Sequence, residues 1–235
     1  MAQKNQIALA KRNCGIDAMK LVEDGMILGL GSGSTVLTFI EALVERIQES
    51  NLEICVVPTS YDTLLAAIAH GIRLISLHEI DSVDLAIDGA DEVDPQCNLI
   101  KGGGGAFTWE KLVAMNAKNF VVLIDFQKKT PVLGMKAPVP IEVLPVALRQ
   151  VTNSLANMGA IPVLRKGSSK LGPVITDFGN LIVDAKFEKI PNPSRLEHEL
   201  NQIPGVVENG IFAQKPPKLI IGYPDKVERL GFHPK

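Results

Sequence analysis

The segment MILGLGSGST, residues 26–35, decides the fold of this chain. Its first half, 26–30, is a short apolar run that predicts a buried strand, and its second half is rich in glycine and hydroxyl side chains. Beyond it, apolar residues recur at helical spacing from 36 to 47. A buried strand that enters a glycine-rich loop and then a helix indicates one unit of an α/β sheet.

The same alternation of helix and strand continues on both sides of this segment. The predicted helices are 6–24, 61–70 and about 108–118, and the predicted strands are 54–57, 72–77, 83–87 and 120–124. These strands are continuous apolar runs, which is typical of parallel strands that are buried on both faces. The sequence therefore predicts the fold class α/β, with a parallel, Rossmann-like sheet.

A second domain is predicted after a cluster of prolines between 131 and 145, which indicates a crossing between domains. The elements that follow are a helix at 146–158, strands at 160–165, 173–177 and 181–184, a helix at 194–203 and a strand at 206–213. The apolar run 219–223 is interpreted as a strand that returns to the first sheet. The prediction is a Rossmann-like domain of residues 1–133 plus 214–235, and a smaller α+β domain of residues 134–213.

Composition excludes several functional classes. Of the 235 residues, 46% are hydrophobic and 21% are charged, which is ordinary for a folded protein. The formal net charge of −2 creates no field that attracts nucleic acid. No apolar run approaches the ~20 residues of a membrane helix, and no secretory signal is recognised. The three cysteines and four histidines lack the spacing of a disulfide framework or a zinc site. We therefore expect a cytoplasmic protein that binds neither nucleic acid nor membrane.

The loop 31–35 is the first candidate for chemistry. Its glycines allow backbone N–H groups to approach an anion, and the helix that follows adds partial positive charge. The dinucleotide fingerprint is not matched, because Ser34 occupies its third glycine position, and no lysine follows as in a Walker loop. Two interpretations stay open: a phosphate site, or a turn in which Ser34 or Thr35 caps the helix without a ligand.

The second candidate is the acidic run DGADEVDP, residues 88–95. It follows the predicted strand 83–87, and ligands of open α/β sheets bind at the carboxyl ends of strands. Asp88 is the strongest candidate because it comes directly after the strand. The spacing does not match a calcium loop, and the alternative interpretation is a solvated acidic turn.

The third candidate is the run KGGGGAFTWE, residues 101–110. Glycine loses more conformational freedom on folding than any other residue, so four ordered glycines need a reason. Close approach of the backbone to a ligand is one reason, and a flexible hinge is the alternative. Lys101 precedes the run. Glu110 falls in the first turn of the next helix, where a carboxylate also favours the helix dipole.

Taken in order, these motifs resemble those of the A-type ribose-5-phosphate isomerases. The resemblance rests on GSGST, DGADEVDP, KGGGGA followed by Glu110, DFQK at 125–128, LG at 133–134, PIEVLP at 140–145, NPSRLEHELNQIPGVVENGIFA at 192–213 and GYPD at 222–225. It covers nearly the whole chain and implies a ferredoxin-like small domain. It also implies an aldose–ketose isomerase of the pentose phosphate pathway, which interconverts D-ribose 5-phosphate and D-ribulose 5-phosphate through an enediolate.

The resemblance assigns roles to individual residues. Glu110 would move the proton between C2 and C1, with Asp88 and Lys101 as further catalytic residues. The substrate-binding residues would be Ser32, Gly33, Ser34 and Thr35 on the phosphate side, Lys128 closing the site, and Asp88, Gly89, Ala90, Asp91, Lys101, Gly102, Gly103 and Gly104 towards the sugar. Lys11 is a further candidate for the phosphate. No metal and no cofactor are implied, and a homodimer is expected.

Two other functions are alternatives to this one. A sugar-phosphate hydrolase or deaminase would need a base that activates water or a ring-opening histidine, and no histidine lies in these motifs. A sugar-phosphate-sensing domain would bind the ligand without turnover and would normally accompany a DNA-binding helix pair, for which no segment is predicted. Turnover of the sugar phosphate separates an enzyme from a sensor.

Overall fold

The structure is a computed structural model that describes residues 2–167 and 171–232. It divides into two compact units. The first consists of Met1–Gly89, Trp109–Lys128 and Pro217–Lys235, and the second of Ala90–Thr108 and Lys129–Pro216. The chain therefore leaves the first unit twice and returns to it twice.

The elements are numbered in chain order. The helices are α1 Ala2–Ala18, α2 Ser34–Ser50, α3 Tyr61–Ala69, α4 Phe107–Asn116, α5 Leu148–Asn157 and α6 Pro193–Asn201. The strands are β1 Ile27–Leu30, β2 Cys55–Pro58, β3 Val83–Gly89, β4 Glu92–Val93, β5 Leu99–Ile100, β6 Ala117–Asp125, β7 Val139–Val143, β8 Ile161–Leu164, β9 Leu181–Lys186, β10 Val206–Asn209, β11 Ile211–Phe212, β12 Lys218–Gly222 and β13 Val227–Leu230.

The first unit is built on a six-stranded sheet of order β13-β12-β6-β3-β1-β2. All neighbours are parallel except β12 and β13, which form an antiparallel pair. The α/β fold class and the return of the chain to the first sheet are both confirmed. Because parallel strands end at the same edge, the segments that follow β1, β3 and β6 start at one edge of this sheet.

The core of the first unit lies between this sheet and its helices. Phe39 and Leu43 of α2 and Leu28 and Leu30 of β1 are fully buried, and each contributes about 1.5–3 kcal/mol through removal of its side chain from water. A Cβ on Gly15 of α1 would lie 2.6 Å from Thr38 Oγ1. Glycine at this position therefore allows α1 to approach α2 closely.

The second unit contains β7, α5, β8, β9, α6 and β10 in that order, and its antiparallel sheet has the order β10-β7-β9-β8. This βαββαβ succession is that of ferredoxin-like folds. Val139, Ile141 and Val143 of β7 are fully buried against Leu155 of α5 and Leu200 of α6. A separate three-stranded sheet has the order β11-β5-β4.

The structure differs from the sequence-based expectations in several places. Residues 90–108 group with the second unit, because β4 pairs with β5 and β5 pairs with β11, whereas the predicted boundary is 134. The strands predicted at 72–77 and 173–177 are wrong, since these residues form only isolated bridges. The predicted strand 206–213 is interrupted at Gly210, and its halves, β10 and β11, belong to different sheets.

Candidate active site

The loop after β1 lies directly against the end of β3. The Gly31 N–H donates to the carbonyl of Ile87 at 2.8 Å. A Cβ on Gly31 would lie 2.1 Å from Asp88 Oδ1 and 2.7 Å from Asp88 Cα, so no side chain fits at this position. Glycine at position 31 therefore brings the candidate phosphate loop into contact with the buried carboxylate that follows the strand.

The start of α2 presents backbone N–H groups that no side chain caps. Its N-cap is Gly33, with φ 93°, and Ser34 and Thr35 are the first helical residues, so the interpretation that one of them caps the helix is wrong. The Ser34 hydroxyl instead accepts a hydrogen bond from Lys11 Nζ at 2.8 Å. An uncapped helix N-terminus beside a lysine is suited to bind an anion.

Glu110 lies beside the same loop. Ser32 Oγ donates to Glu110 Oε1 at 2.8 Å, and the Glu110 residue is only 5% exposed. A Cβ on Gly29 of β1 would lie 2.3 Å from the Val113 side chain, so α4 approaches the strand closely. This approach places Glu110 next to the loop. The contact between Ser32 and Glu110 is not indicated by the sequence, which suggested only a phosphate role for Ser32.

Asp88 and Gly89 complete this cluster at the end of β3. Asp88 is 3% exposed, and its Oδ1 accepts the N–H of Gly89 at 2.7 Å. A Cβ on Gly89 would lie 3.8 Å from the carbonyl oxygen of Ser32. The first unit therefore gathers a hydroxyl, two buried carboxylates and an uncapped helix start within one group of contacts.

Lys128 follows β6 at the same edge of the sheet. Gly89 of β3 pairs with Leu123 of β6, and the strand ends at Asp125. The buried carboxylate of Asp125 accepts the Gln127 N–H at 3.0 Å, which shapes the turn that carries Lys128. Within residues 2–167 and 171–232, no hydrogen bond or ion pair of the half-buried Lys128 side chain is found.

The remaining predicted site residues lie in the second unit, which begins at Ala90. Asp91 Oδ2 accepts the N–H of Gly103 at 2.7 Å, so the acidic run holds the glycine run. The buried Lys101 donates its backbone N–H to Gly210 at 2.8 Å, and its Nζ lies 5.4 Å from the centre of the Phe212 ring. The contacts of Lys101 and of Gly103 therefore hold the backbone on both sides of Gly102.

The glycine run is a closed turn. The Gly105 N–H donates to the Gly102 carbonyl at 3.0 Å, and Arg165 Nη1 donates to the same oxygen at 2.8 Å. Gly102 and Gly105 have φ values of 101° and 86°, which favour glycine over any other residue. The turn is thus held by specific hydrogen bonds, and the hinge interpretation is not supported.

Two other carboxylates of the acidic run have structural partners. Glu92 is fully buried and accepts the N–H groups of residues 134–137 at 3.1–3.2 Å. Asp94 accepts the N–H groups of Gln96 and Asn98, both at 2.9 Å. Consecutive amides of this kind form an anion-binding nest, and a carboxylate of the same chain occupies it. The interpretation of these two residues as a solvated turn is therefore wrong.

Comparison with known proteins identifies the family. Residues 55–226 match the family described as Ribose 5-phosphate isomerase A (phosphoriboisomerase A). The chain belongs to this family. The ribose-5-phosphate isomerase A of Thermococcus kodakarensis is 48% identical over 221 residues, which cover 94% of this chain and 96% of that protein. The family and the isomerase class predicted from the motifs are confirmed.

Solved structures agree with this assignment. The ribose 5-phosphate isomerase A of Methanocaldococcus jannaschii superposes with a TM-score of 0.91 at 47% identity, covering 94% of this chain and 97% of that one. A D-ribose-5-phosphate isomerase solved in complex with phospho-erythronic acid gives a TM-score of 0.92 at 47% identity and the same coverage. The fold of this family member is thus that of experimentally known relatives.

Among residues 2–167 and 171–232, no group of three or more His, Cys, Asp or Glu side chains is arranged to hold a metal ion. No helix in that part of the chain is long and apolar enough to cross a membrane.

Cys14 is a buried thiol of α1 outside the site. Its thiol donates to the carbonyl of Ile124 at 3.2 Å, and burial raises its pKa to about 12. The thiol is therefore neutral at physiological pH and is not a nucleophile.

Proposed function

We propose that this chain interconverts D-ribose 5-phosphate and D-ribulose 5-phosphate, with Glu110 as the base that moves a proton between C2 and C1. The family supports the reaction. The buried Glu110 carboxylate, oriented by the Ser32 hydroxyl at 2.8 Å, is the observation that supports the role of the base. A general base must be oriented towards the proton that it removes, and the hydrogen bond from Ser32 orients the Glu110 carboxylate.

The chemistry needs three kinds of group. A base must lie beside C2, donors must meet the oxygen that becomes negative, and the phosphate must be held so that the sugar carbons stay in place. Glu110 removes the proton from C2 to give the enediolate and returns it to C1. The second proton moves from O2 to O1, so that the aldehyde becomes an alcohol and the alcohol becomes a ketone. Asp88, buried beside the loop, is the group proposed to assist ring opening.

The phosphate is proposed to bind at the start of α2. The backbone N–H groups of 33–35 have no side-chain cap, and Lys11 adds a positive charge at Ser34. Lys128 follows β6 at the same sheet edge and provides a second cation. Binding a dianion in this way uses the helix dipole and two lysines, neither of which depends on the identity of the sugar.

The sugar oxygens are proposed to bind to Lys101, to the glycine run and to Asp91. Lys101 carries a positive charge, the amides of Gly102–Gly104 are donors, and Asp91 is an acceptor; Ala90 precedes them in the chain. Donors of this kind stabilise a developing oxyanion, and one such donor is typically worth ~10²–10³ in kcat. A homodimer in the cytoplasm, working in the pentose phosphate pathway, belongs to the same proposal, and light scattering of the purified protein tests the dimer.

A turnover assay tests this function directly. Purified protein is mixed with D-ribose 5-phosphate, and the appearance of the ketose is followed over time. Steady conversion that disappears in Glu110→Gln supports both the reaction and the base. Binding of the sugar phosphate without any conversion would indicate a sensor and overturn the proposal.

A further inference from the structure

The guanidinium of Arg165 lies against the glycine run in the second unit. Its Nη1 donates to the carbonyl of Gly102 at 2.8 Å and to that of Gly103 at 3.2 Å. The side chain is only 16% exposed and directly follows β8. The glycines carry no side chains of their own, so their conformation depends on contacts of this kind.

Asp184 fixes the plane of this guanidinium. Arg165 Nε lies 2.9 Å from Asp184 Oδ2, and Nη2 lies 2.5 Å from Oδ1. Asp184 belongs to β9, where it pairs with Val163 of β8. The pair therefore spans two hydrogen-bonded strands, and a two-point contact with a carboxylate leaves Nη1 directed at the loop.

Asp91 holds the same peptide group from the other side. The peptide between Gly102 and Gly103 offers its C=O to Arg165 and its N–H to Asp91, at 2.8 and 2.7 Å. In a trans peptide these two groups point in opposite directions, so the two contacts together fix its orientation. The glycine run is thus clamped between a cation and an anion.

Arg165 also orients the next peptide, between Gly103 and Gly104. The Gly103 carbonyl accepts from Arg165, so the N–H of Gly104, on the same peptide, points away from the guanidinium. Gly104 is exposed, and across the described residues no hydrogen-bond partner of its N–H is found. Arg165 therefore holds an outward-facing donor in one orientation.

We propose that Arg165 and Asp184 are positioning residues for the reaction: they set the direction of the glycine-run amides that meet the sugar oxygens. This inference rests on the proposed function. The simpler alternative is an ion pair that only ties β8 to β9. Such a pair would contribute to stability alone, whereas a positioning pair also changes kcat and the binding of ligands that carry sugar oxygens.

The first test compares three variants. Arg165→Met removes the donor, and Arg165→Met/Asp184→Leu also removes the carboxylate that would be left buried without its partner. Arg195→Met is the matched control, because Arg195 lies in the same unit, is 74% exposed and pairs with Glu199 on its own helix. A misplacement of reacting groups by about 1 Å costs about 10²-fold, so we expect kcat to fall roughly 10- to 100-fold in both Arg165 variants and to be unchanged in the control.

The second test separates positioning from stability. Phospho-erythronic acid carries sugar oxygens and a phosphate, whereas inorganic phosphate carries only the latter. We expect the inhibition constant of phospho-erythronic acid to rise by a factor similar to the loss in kcat, and that of inorganic phosphate to stay the same. The double variant should regain thermal stability without regaining activity. A folded double variant with wild-type kcat and wild-type inhibition would overturn the inference.

Failure of the proposed function gives a different result. If the wild-type protein does not convert ribose 5-phosphate, kcat cannot be compared. Amide hydrogen exchange then tests whether Arg165 holds the glycine run in place. The N–H groups of Gly103 and Gly105 are bonded to Asp91 and Gly102. Faster exchange of both in Arg165→Met, with no change in Arg195→Met, supports the clamp. Unchanged exchange in Arg165→Met overturns it.

Discussion

The hydroxyl of Ser32 donates to Glu110 Oε1 at 2.8 Å, although 78 positions separate the two residues in the chain. One belongs to the loop after the first strand and the other to the first turn of α4. The proposed base and the proposed phosphate loop are therefore connected by a direct hydrogen bond. Changes at either residue should affect the other, and their separate roles can be measured.

Replacement of Glu110 by Gln should abolish most of the activity. Gln is nearly isosteric and can still accept from Ser32, but it cannot take a proton from C2. Positioned general bases contribute typically ~10²–10⁴-fold, or about 3–5 kcal/mol of barrier. We expect kcat to fall by that factor in steady-state assays while phospho-erythronic acid still binds. Glu110→Asp should retain more activity than Gln, and a folded Gln variant within about threefold of wild type would contradict the assignment.

Ser32→Ala should lower kcat about tenfold, because a hydrogen bond to a charged group contributes about 1.5–3 kcal/mol. Ser32→Thr is the matched control, since it keeps the hydroxyl, and it should stay close to wild type. The readout is the division of the effect between kcat and KM. A rise in KM with kcat unchanged would instead place the Ser32 hydroxyl on the substrate phosphate.

Lys128→Ala should raise KM roughly tenfold or more with little change in kcat. A contact to phosphate that is equally strong in the ground and transition states is uniform binding, and a charge-assisted contact contributes about 1.5–3 kcal/mol. Lys129→Ala is the control, because Lys129 is the next residue in the chain and its side chain is exposed. A collapse of kcat at constant KM would place Lys128 at the reacting carbons.

Gly31→Ala should destabilise the protein. The new Cβ would lie 2.7 Å from the Cα of Asp88, so backbone must move, and overpacking of this kind costs typically about 1–3 kcal/mol. A lower Tm in thermal unfolding, together with lost activity, is the expected result. Gly104→Ala serves as the comparison, since a Cβ there meets nothing within 4 Å. Equal Tm values for the two variants would mean that the loop does not lie against β3.

Acid unfolding should depend on Asp84. Its Oδ2 accepts the N–H of Ile27 and its Oδ1 pairs with Lys118, and these contacts, in that order, hold the pKa of Asp84 below its usual 3.8. A carboxyl with a lowered folded pKa stabilises the protein above the unfolded pKa, and this stability is lost as the pH falls through the folded value.

Asp84→Asn should therefore be less stable at pH 7 and should lose less stability between pH 5 and 2. Denaturant titrations across that range measure both effects, with the exposed Asp81→Asn as the control. Parallel pH curves for wild type and Asp84→Asn would contradict the role of this carboxylate.

Much of the first unit could be predicted from the sequence because its signals are local. An apolar run, a glycine-rich loop and a helical repeat identify β1, the loop and α2, and the residues next to strand ends identify Asp88. The glycine run stands out in the same way, whereas the role of Glu110 is implied by the resemblance and stays a prediction. These features depend on neighbouring residues, which the sequence shows directly.

The features that could not be predicted depend on distant residues or on an exception to a local rule. The cluster of prolines between 131 and 145 predicts a crossing between domains, yet β7, which contains Pro140, pairs on both sides, with β9 and β10. Arg165 contacts the glycine run across 63 positions, and no motif marks it. No local signal in the sequence indicates that the Glu92 carboxylate accepts the N–H groups of residues 134–137.

The place of β12 in the central sheet has a consequence for synthesis on the ribosome. β6 is Ala117–Asp125, and the strand that pairs with its outer edge is Lys218–Gly222. Residues 126–217 are translated between the two strands, so a nascent chain carries β6, with its FVVLI core, as an unprotected strand edge. Such edges pair with those of other chains, which makes the period before residue 222 emerges the time of greatest risk of aggregation. Chaperone binding to the nascent protein should therefore be concentrated on this strand.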